Sequence, residues 1–325
     1  MVTREATTGM GEHGTDFADV RRRLKAIFVG SIGNLVEWYD FYAYAAFALY
    51  FAQAFFPNND PVVQQLNAAL LFAAGFLVRP LGGWIFGYVA DRHGRRNSLI
   101  WSVVFMCLGS FMVALSPTYA TIGFAAPLLL GAARIIQGIS LGGEYGISAA
   151  YMTEVSDEKH RGFYSSFLYV TLIGGQFTAL IVLLLLQQVF LTGDELRAWG
   201  WRIPFAIGAL LAIIAAWMRV GLFETEQFAA VKKSAKRENP LIALRNYPKE
   251  VLLVVGLTLG GTTAFYTYTT YMQKFLKLTV HLSDAQTTWV TAGSLIFAMC
   301  LQPIYGAISD RIGRKWLLIG FGVFG

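Results

Sequence analysis

Residues 87–96 read GYVADRHGRR, and residues 306–315 read GAISDRIGRK. Aligned, they give G-x-x-x-D-R-x-G-R-[RK]: Gly87, Asp91, Arg92, Gly94, Arg95 and Arg96 in one copy, Gly306, Asp310, Arg311, Gly313, Arg314 and Lys315 in the other. Each copy sits between long apolar runs, and the two lie 219 residues apart. A charged loop repeated at that separation marks two related halves. A short polar segment between two membrane spans must turn tightly at the membrane surface, and Gly94 and Gly313 give the backbone freedom for that turn. Gly87 and Gly306 fall in the preceding helix, where a missing side chain lets another helix approach. The Asp can face a helix N-terminus while the Arg side chains reach carboxylates on a neighbouring helix. Such contacts, made in one state and broken in another, form a gating latch. A basic loop that only fixes topology is the plainer alternative, and the second copy favours the latch.

With 55% hydrophobic and only 14% charged residues, the composition excludes a soluble domain and predicts an all-α integral membrane protein. A hydrocarbon core of ~30 Å needs ~20 apolar residues per span. Eight stretches qualify: 26–56, 66–90, 98–115, 122–153, 163–191, 201–222, 251–274 and 285–309. A ninth begins at Trp316. The ten residues from there to Gly325 rise only ~15 Å as helix, about half the core thickness. The expectation is therefore a second half cut short by roughly a hundred residues, in a chain that does not transport by itself. The expected organisation is an N-terminal tail (1–25), a first half of six spans (26–222), a linker (223–250) and the start of a second half (251–325).

Of 26 Lys and Arg, 20 are assigned to the tail and to the loops after spans two, four, six and eight. Arg197, Arg202, Lys274 and Lys277 fall on the other side, and Arg79 and Arg134 within spans. By the positive-inside rule the tail, the linker and both latch loops are cytoplasmic. The net charge of +6 then reflects topology and not nucleic-acid binding. The first span is too long for a cleaved signal and lacks a small-residue cleavage site. Cys107 and Cys300 stand alone, without metal spacing or a disulfide framework. The linker has the basic, Pro-punctuated composition of a segment that can lie on the membrane surface.

An ionisable side chain inside a span costs about 2.5–3.5 kcal/mol on insertion scales, so each needs a reason. Residues 33–44, GNLVEWYDFYAY, place Glu37, Asp40 and Tyr44 on one helical stripe that must face protein or water. The pair suits a proton carrier; a structural pair bonded to Arg79 or Arg134 is the alternative. Residues 133–146, ARIIQGISLGGEYG, carry Arg134 and Glu144, and Arg134 can instead pin the first span by pairing with Asp40 or Glu144. Arg79, in LVRPLGG, and Arg202, in WGWRIPFA, can each grip a carboxylate through two N–H groups. Arg202, beside Trp199 and Trp201 near a span end, can also simply reach the surface. In the seventh span Thr258, Thr262, Tyr266, Thr269 and Gln273 follow helical spacing, a polar wall for a solute unless the hydroxyls bond back to their own helix. Gly256, Gly260 and Gly261 would let that helix bend.

The latch, GNLVEWYDFYAY, AAGFLVRPLGGWIFGYVADRHGRR, ARIIQGISLGGEYG, GFYSSFLYVTLIGGQ and WGWRIPFAIGA together resemble the major facilitator superfamily, and within it the metabolite:proton symporter family. The resemblance implies two six-helix bundles around a central cavity, rocking between inward-open and outward-open states, and entry of solute with protons. It also links the Arg of R-x-x-x-G, here Arg134 and Gly138, to proton coupling. Members carry dicarboxylates, citrate, shikimate, or proline and betaine. The seventh span and Arg202 tilt the expected solute to a dicarboxylate, α-ketoglutarate. The expected solute-binding set is then Arg79, Arg202, Tyr266, Thr262 and Gln273, and the proton-coupling set Glu37, Asp40, Arg134 and Glu144. No cofactor is expected besides the proton, and the partners are a small organic anion and lipid, with the protein a monomer. An osmolyte symporter for proline or betaine and a transporter-like sensor are the alternatives. An enzyme is disfavoured, because no metal cluster, nucleophile elbow or phosphate loop is present.

Overall fold

The structure, a computed structural model, describes residues 17–156, 159–221, 246–272, 275–276 and 279–324. Most of the expected linker lies outside the described residues, as do Gln273, Lys274 and Lys277. Among the described residues every regular element is helical: α1 (Phe17–Phe55), α2 (Pro61–Leu77), α3 (Arg79–His93), α4 (Arg95–Ala114), α5 (Tyr119–Ile122), α6 (Ala125–Val155), α7 (Arg161–Leu185), α8 (Gly193–Ala198), α9 (Ile203–Val220), α10 (Pro248–Tyr266), α11 (Asp284–Ile312) and α12 (Arg314–Phe324). π-turns extend α7 over Leu186–Phe190 and α10 over Thr267–Tyr271, and a 3₁₀ turn, Gly200–Arg202, leads into α9.

Seven stretches among the described residues are long and apolar enough to cross a membrane: Pro61–His93, Arg95–Ala114, Ala125–Glu154, Arg161–Phe190, Gly200–Val220, Pro248–Thr269 and Gln286–Ile312. The expected first span is not among them. α1 is 39 residues long, but Asn34, Glu37 and Asp40 dilute its hydropathy. Its helix also begins at Phe17, well before the expected boundary at residue 26.

The expected second span is two helices, α2 and α3, broken at Val78. Pro80 is the cause: it has no N–H, and its ring crowds the carbonyl four residues back. The break leaves Arg79 as the first residue of α3. α6 crosses it on a glycine stripe. A Cβ at Gly138 would fall on the Gly75 carbonyl, one at Gly142 on the Arg79 carbonyl, and one at Gly82 on the Ile139 carbonyl. Small residues at all three crossings let the backbones touch.

α1 packs against α7, α6 and α9, with α4 between α6 and α9. At one end lies an aromatic cluster of Phe47, Phe51, Phe55, Trp201 and Phe205. At the basic end Phe86, Leu99, Ile147 and Tyr151 form a second core. Between them runs a polar layer: Glu37, Asp40, Ser102, Ser110, Arg134, Gln137, Ser140, Glu144, Ser148 and Arg219, each with 0% of its surface exposed. α11 packs along α7.

Candidate functional site

The carboxylate stripe of α1 faces into the first half, against α4, α6 and α9. Asp40 accepts a hydrogen bond from Gln137 Nε2, and Gln137 Oε1 accepts from Arg134 Nη1 at 2.7 Å. Arg134 therefore reaches Asp40 through Gln137, in place of either direct pairing the sequence offered. Its guanidinium lies 4.2 Å from the Tyr44 ring centroid and 4.7 Å from that of Phe41, while Nε and Nη2 have no hydrogen-bond partner. A cation over aromatic faces is partly compensated for lost water. Asp40 Oδ1 has no partner either and points at Gly208, where a larger residue would collide with it.

One turn toward the basic end, Ser140 Oγ lies 2.5 Å from Glu37 Oε1 and 2.6 Å from the Ser102 carbonyl oxygen. Glu37 Oε2 is without a partner. Beyond it, Glu144 is ion-paired with Arg219 and accepts from Ser102 Oγ at 2.6 Å and Ser148 Oγ at 2.8 Å. Arg219 also donates to the Leu99 carbonyl (2.7 Å) and the Gly30 carbonyl (2.8 Å). This corrects the sequence reading twice. Arg219, counted there among the 20 basic residues of the cytoplasmic side although it falls inside the sixth span, is fully buried on α9, and Glu144 has a partner other than Arg134. The signal was available: Trp217, Met218 and Val220 continue the apolar run on both sides of Arg219.

Arg79, at the start of α3, lies against a different face of α1. Its guanidinium stands 5.2 Å from the Trp38 ring and 5.6 Å from the Phe76 ring, within electrostatic reach of Tyr42, Tyr145, Tyr266 and Glu37. Tyr266, from α10, packs edge-on against Phe76 of α2 at 5.8 Å. Among the described residues Arg79 has no ion-pair partner. Trp38 and Tyr42, four residues apart beside the Glu37 stripe, were not singled out in the sequence, although that spacing puts them on one face.

Other expected solute ligands are not gathered here. Arg202 donates to the Ser116 carbonyl at 2.9 Å and stacks on Trp201 at 4.2 Å, at the aromatic end of the bundle. Thr262 is exposed. Thr263, Thr267 and Thr269 bond back to carbonyls of their own helix at 2.8 Å, as the alternative held. Gln273 lies outside the described residues. A Cβ at Gly256, Gly260 or Gly261 would meet nothing, and the helix widens later, at Thr267–Tyr271.

The two latch loops repeat in backbone as in sequence. Gly94 has φ 100° and ψ 155°, Gly313 φ 85° and ψ 154°, and each N–H closes on a carbonyl four residues back at 3.0 Å. Both Asp residues pair with the Arg four residues on, Asp91 with Arg95 at 2.9 Å and Asp310 with Arg314 at 3.3 Å. Their surroundings differ. Asp310, 6% exposed, accepts from the backbone N–H groups of Gly162 (2.7 Å) and Phe163 (2.9 Å) at the start of α7. Gly306 makes room for this, with its Cβ position 2.6 Å from the Gly162 carbonyl. Asp91 is 59% exposed, and a Cβ at Gly87 would meet nothing within 4 Å, so the close approach expected at Gly87 is absent among the described residues. Arg95 reaches the Glu154 carboxylate at 3.4 Å, as expected, whereas Arg96 donates to the Val220 carbonyl at 2.6 Å and Arg92 lies on the Tyr88 ring at 4.3 Å. Arg311 and Lys315 are exposed.

The sequence and fold have known relatives. The profile of the sugar (and other) transporter family matches residues 26–251. The α-ketoglutarate permease of Escherichia coli (strain K12) is 49% identical over 305 residues, covering 94% of this chain and 70% of the permease. The proline/betaine transporter of Salmonella typhimurium (strain LT2) is 34% identical over 307 residues, covering 91% of this chain and 61% of that protein. Among solved structures, the proton:xylose symporter XylE bound to 6-bromo-6-deoxy-D-glucose superposes with a TM-score of 0.77 at 19% identity, covering 92% of this chain and 71% of XylE. A profile match over more than half the chain and 49% identity to a permease lead to one conclusion: the chain belongs to the sugar (and other) transporter family.

Proposed function

We propose that this protein is a proton-coupled symporter that imports a dicarboxylate, α-ketoglutarate, by alternating access. The observation that carries the solute class is Arg79: a half-buried guanidinium in an aromatic setting shared by both halves, with no carboxylate partner among the described residues. A bound carboxylate would supply that partner through two parallel N–H···O bonds. Tyr42 and Tyr266, next to one another beside it, would hold the keto oxygen. Arg202, at the aromatic end, and Thr262, exposed, have no support as ligands in their positions. The 49% identity to an α-ketoglutarate permease favours this solute over the zwitterions of the 34% identical proline/betaine transporter.

Proton coupling is assigned to Asp40 and Glu37, with Arg134 acting on Asp40 through Gln137, and Glu144 holding Arg219. α1 is taken as an eighth span, because its polar residues are covered by α4, α6 and α9 and not by lipid. The basic ends, the N-terminus and the latch loops are placed on the cytoplasmic side of a bacterial inner membrane. In this arrangement Asp310 on α11 holds the start of α7, which closes the cytoplasmic end. The protein works as a monomer surrounded by lipid. The fold completes as two six-helix bundles.

Uptake of labelled α-ketoglutarate into proteoliposomes carrying the full-length protein, with an inward proton gradient imposed and then collapsed by a protonophore, tests the proposal. Gradient-dependent accumulation is expected, and Asp40→Asn is expected to abolish it while leaving solute exchange. Accumulation of betaine or proline instead, or none of any solute, rejects the proposed substrate.

A further inference from the structure

We propose that Asn34 is a positioning residue for the solute site: it holds the Trp38 indole as a seat for the Arg79 guanidinium, so that the N–H groups of Arg79 stay free for a carboxylate. This deepens the reading of Arg79 as the solute's partner and rests on it.

Trp38 is buried, and its indole N–H is a donor that needs an acceptor there. Asn34, one helical turn earlier on α1 and itself fully buried, supplies it: Trp38 Nε1 donates to Asn34 Oδ1 at 3.1 Å. The Asn34 amide is held in turn by α7, where Nδ2 donates to the Leu168 carbonyl and to Thr171 Oγ1, both at 2.9 Å. These partners leave the amide one orientation. Turned over, it would set its oxygen against the Leu168 carbonyl oxygen and its NH₂ against the indole N–H. α7 comes close enough to offer these acceptors because it rides on α1 one turn further along. A Cβ at Gly175 would fall 2.6 Å from the Leu35 carbonyl oxygen and 2.9 Å from Trp38 Cβ.

The indole is fixed from the other side by its neighbours on α1. Tyr42, one turn after Trp38, stacks on it at 5.7 Å with 30° between the rings, and Phe41 meets it edge-on at 5.9 Å. Asn34 and these two rings together set the plane of the indole, and the Arg79 guanidinium stands over that plane, 5.2 Å from the centroid. A cation seated over a ring is held electrostatically without spending its hydrogen-bond donors. Arg219 is the contrast: its donors go to Glu144 and to the Leu99 and Gly30 carbonyls, and none is left for a ligand to recruit cheaply. Arg79 is gripped by aromatic faces instead, so its fork of N–H groups is both positioned and available to a planar anion. Asn34 acts on that fork through the indole, whose N–H it holds.

Indole N–H resonances of the full-length protein labelled with ¹⁵N-tryptophan test the seat without solute, and Trp38→Phe identifies the Trp38 signal. Asn34→Ala, which removes the acceptor, and Arg79→Ala, which removes the cation, should each shift that signal; a signal that either variant leaves in place overturns the proposal. Calorimetry with α-ketoglutarate then separates positioning from packing. Asn34→Ala should weaken binding about tenfold in the wild-type background and by less than about twofold in Trp38→Phe, whose ring has no N–H for Asn34 to hold. An Asn34 that only ties α1 to α7 would cost the same in both backgrounds, and equal losses overturn the proposal. Should Asn34→Ala not fold, Trp38→Phe and Trp38→Leu decide: Phe keeps a ring face for Arg79 and should bind several-fold tighter than Leu, and equal affinities overturn it. Where the Trp38 signal moves as expected and folded protein binds no α-ketoglutarate, the seat stands and the proposed solute is refuted.

Discussion

Asp310 on α11 and Gly162 at the start of α7 join these two helices through a carboxylate oxygen and a backbone N–H, 2.7 Å apart, with Phe163 N–H on the second oxygen at 2.9 Å. Unpaired N–H groups and the helix dipole at an N-terminus favour an anion there. Asp310→Asn removes the charge and one acceptor. It should weaken closure by about 1–2 kcal/mol, roughly a tenfold shift in the open population. Spin labels at Lys159→Cys and Ile312→Cys, with Cys107 and Cys300 replaced by Ala, report the separation of α7 and α11. A longer distance distribution is expected, and an unchanged one would remove Asp310 from the latch.

Arg219 and Glu144 tie α9 to α6 in a pair with no exposed surface. Glu144→Leu or Arg219→Leu strands a buried charge, and each should cost about 3–5 kcal/mol. The double variant strands none, so its loss of thermal stability in detergent should be smaller than the sum of the two single losses. Simple additivity in that cycle would mean the pair is not coupled.

The latch repeat and the apolar runs made the fold readable, because membrane spans are specified by composition and tight turns by glycine. Gly94 and Gly313 show it, with matching positive φ. The N-terminus-facing Asp was equally readable and is realised at Asp310. Position along a helix was harder. Arg219 sits in the last turn of α9, where a basic residue is ordinary, and only its partner Glu144, 75 residues earlier, reveals that it points inward. The orientation of α1 was the other gap. One stripe carries the carboxylates and its neighbour carries Trp38 and Tyr42, and periodicity alone does not say which meets the second half.

Arg79 offers a fork of donors beside Trp38 and Phe76. Lysine keeps the charge and loses the fork, so Arg79→Lys should weaken α-ketoglutarate binding by at least ~10-fold. Arg79→Ala should abolish binding. Titration calorimetry on both variants checks this, and wild-type affinity in Arg79→Ala would take Arg79 out of the site.

Gly142 meets the Arg79 carbonyl across the α3–α6 crossing, whereas Gly146, one turn later on the same helix, has nothing within 4 Å of its Cβ position. Gly142→Val should therefore force α3 away and cost about 1–3 kcal/mol, while Gly146→Val should not. Both substitutions carry the same helix-propensity change, so comparing their melting temperatures isolates the crossing. Equal losses would mean that the glycine stripe does not set the position of Arg79.

Glu195 lies outside the spans, in α8, where its carboxylate accepts from Thr192 N and Thr192 Oγ1, both at 2.8 Å. The backbone bond from Thr192, and next its hydroxyl, hold the Glu195 carboxyl below its ordinary range. A folded value below the unfolded one means that these Thr192–Glu195 bonds stabilise α8 fully above the unfolded value and lose that contribution as pH falls through the folded one. The amides of Leu196 and Trp199, bonded to the Thr192 and Glu195 carbonyls at 3.0 Å, should exchange faster once Glu195 is protonated. Exchange rates, corrected for intrinsic pH dependence, should show an acid step in wild-type protein and none in Glu195→Gln, whose amide keeps the geometry without titrating. The same step in both proteins would assign the acid response to another group.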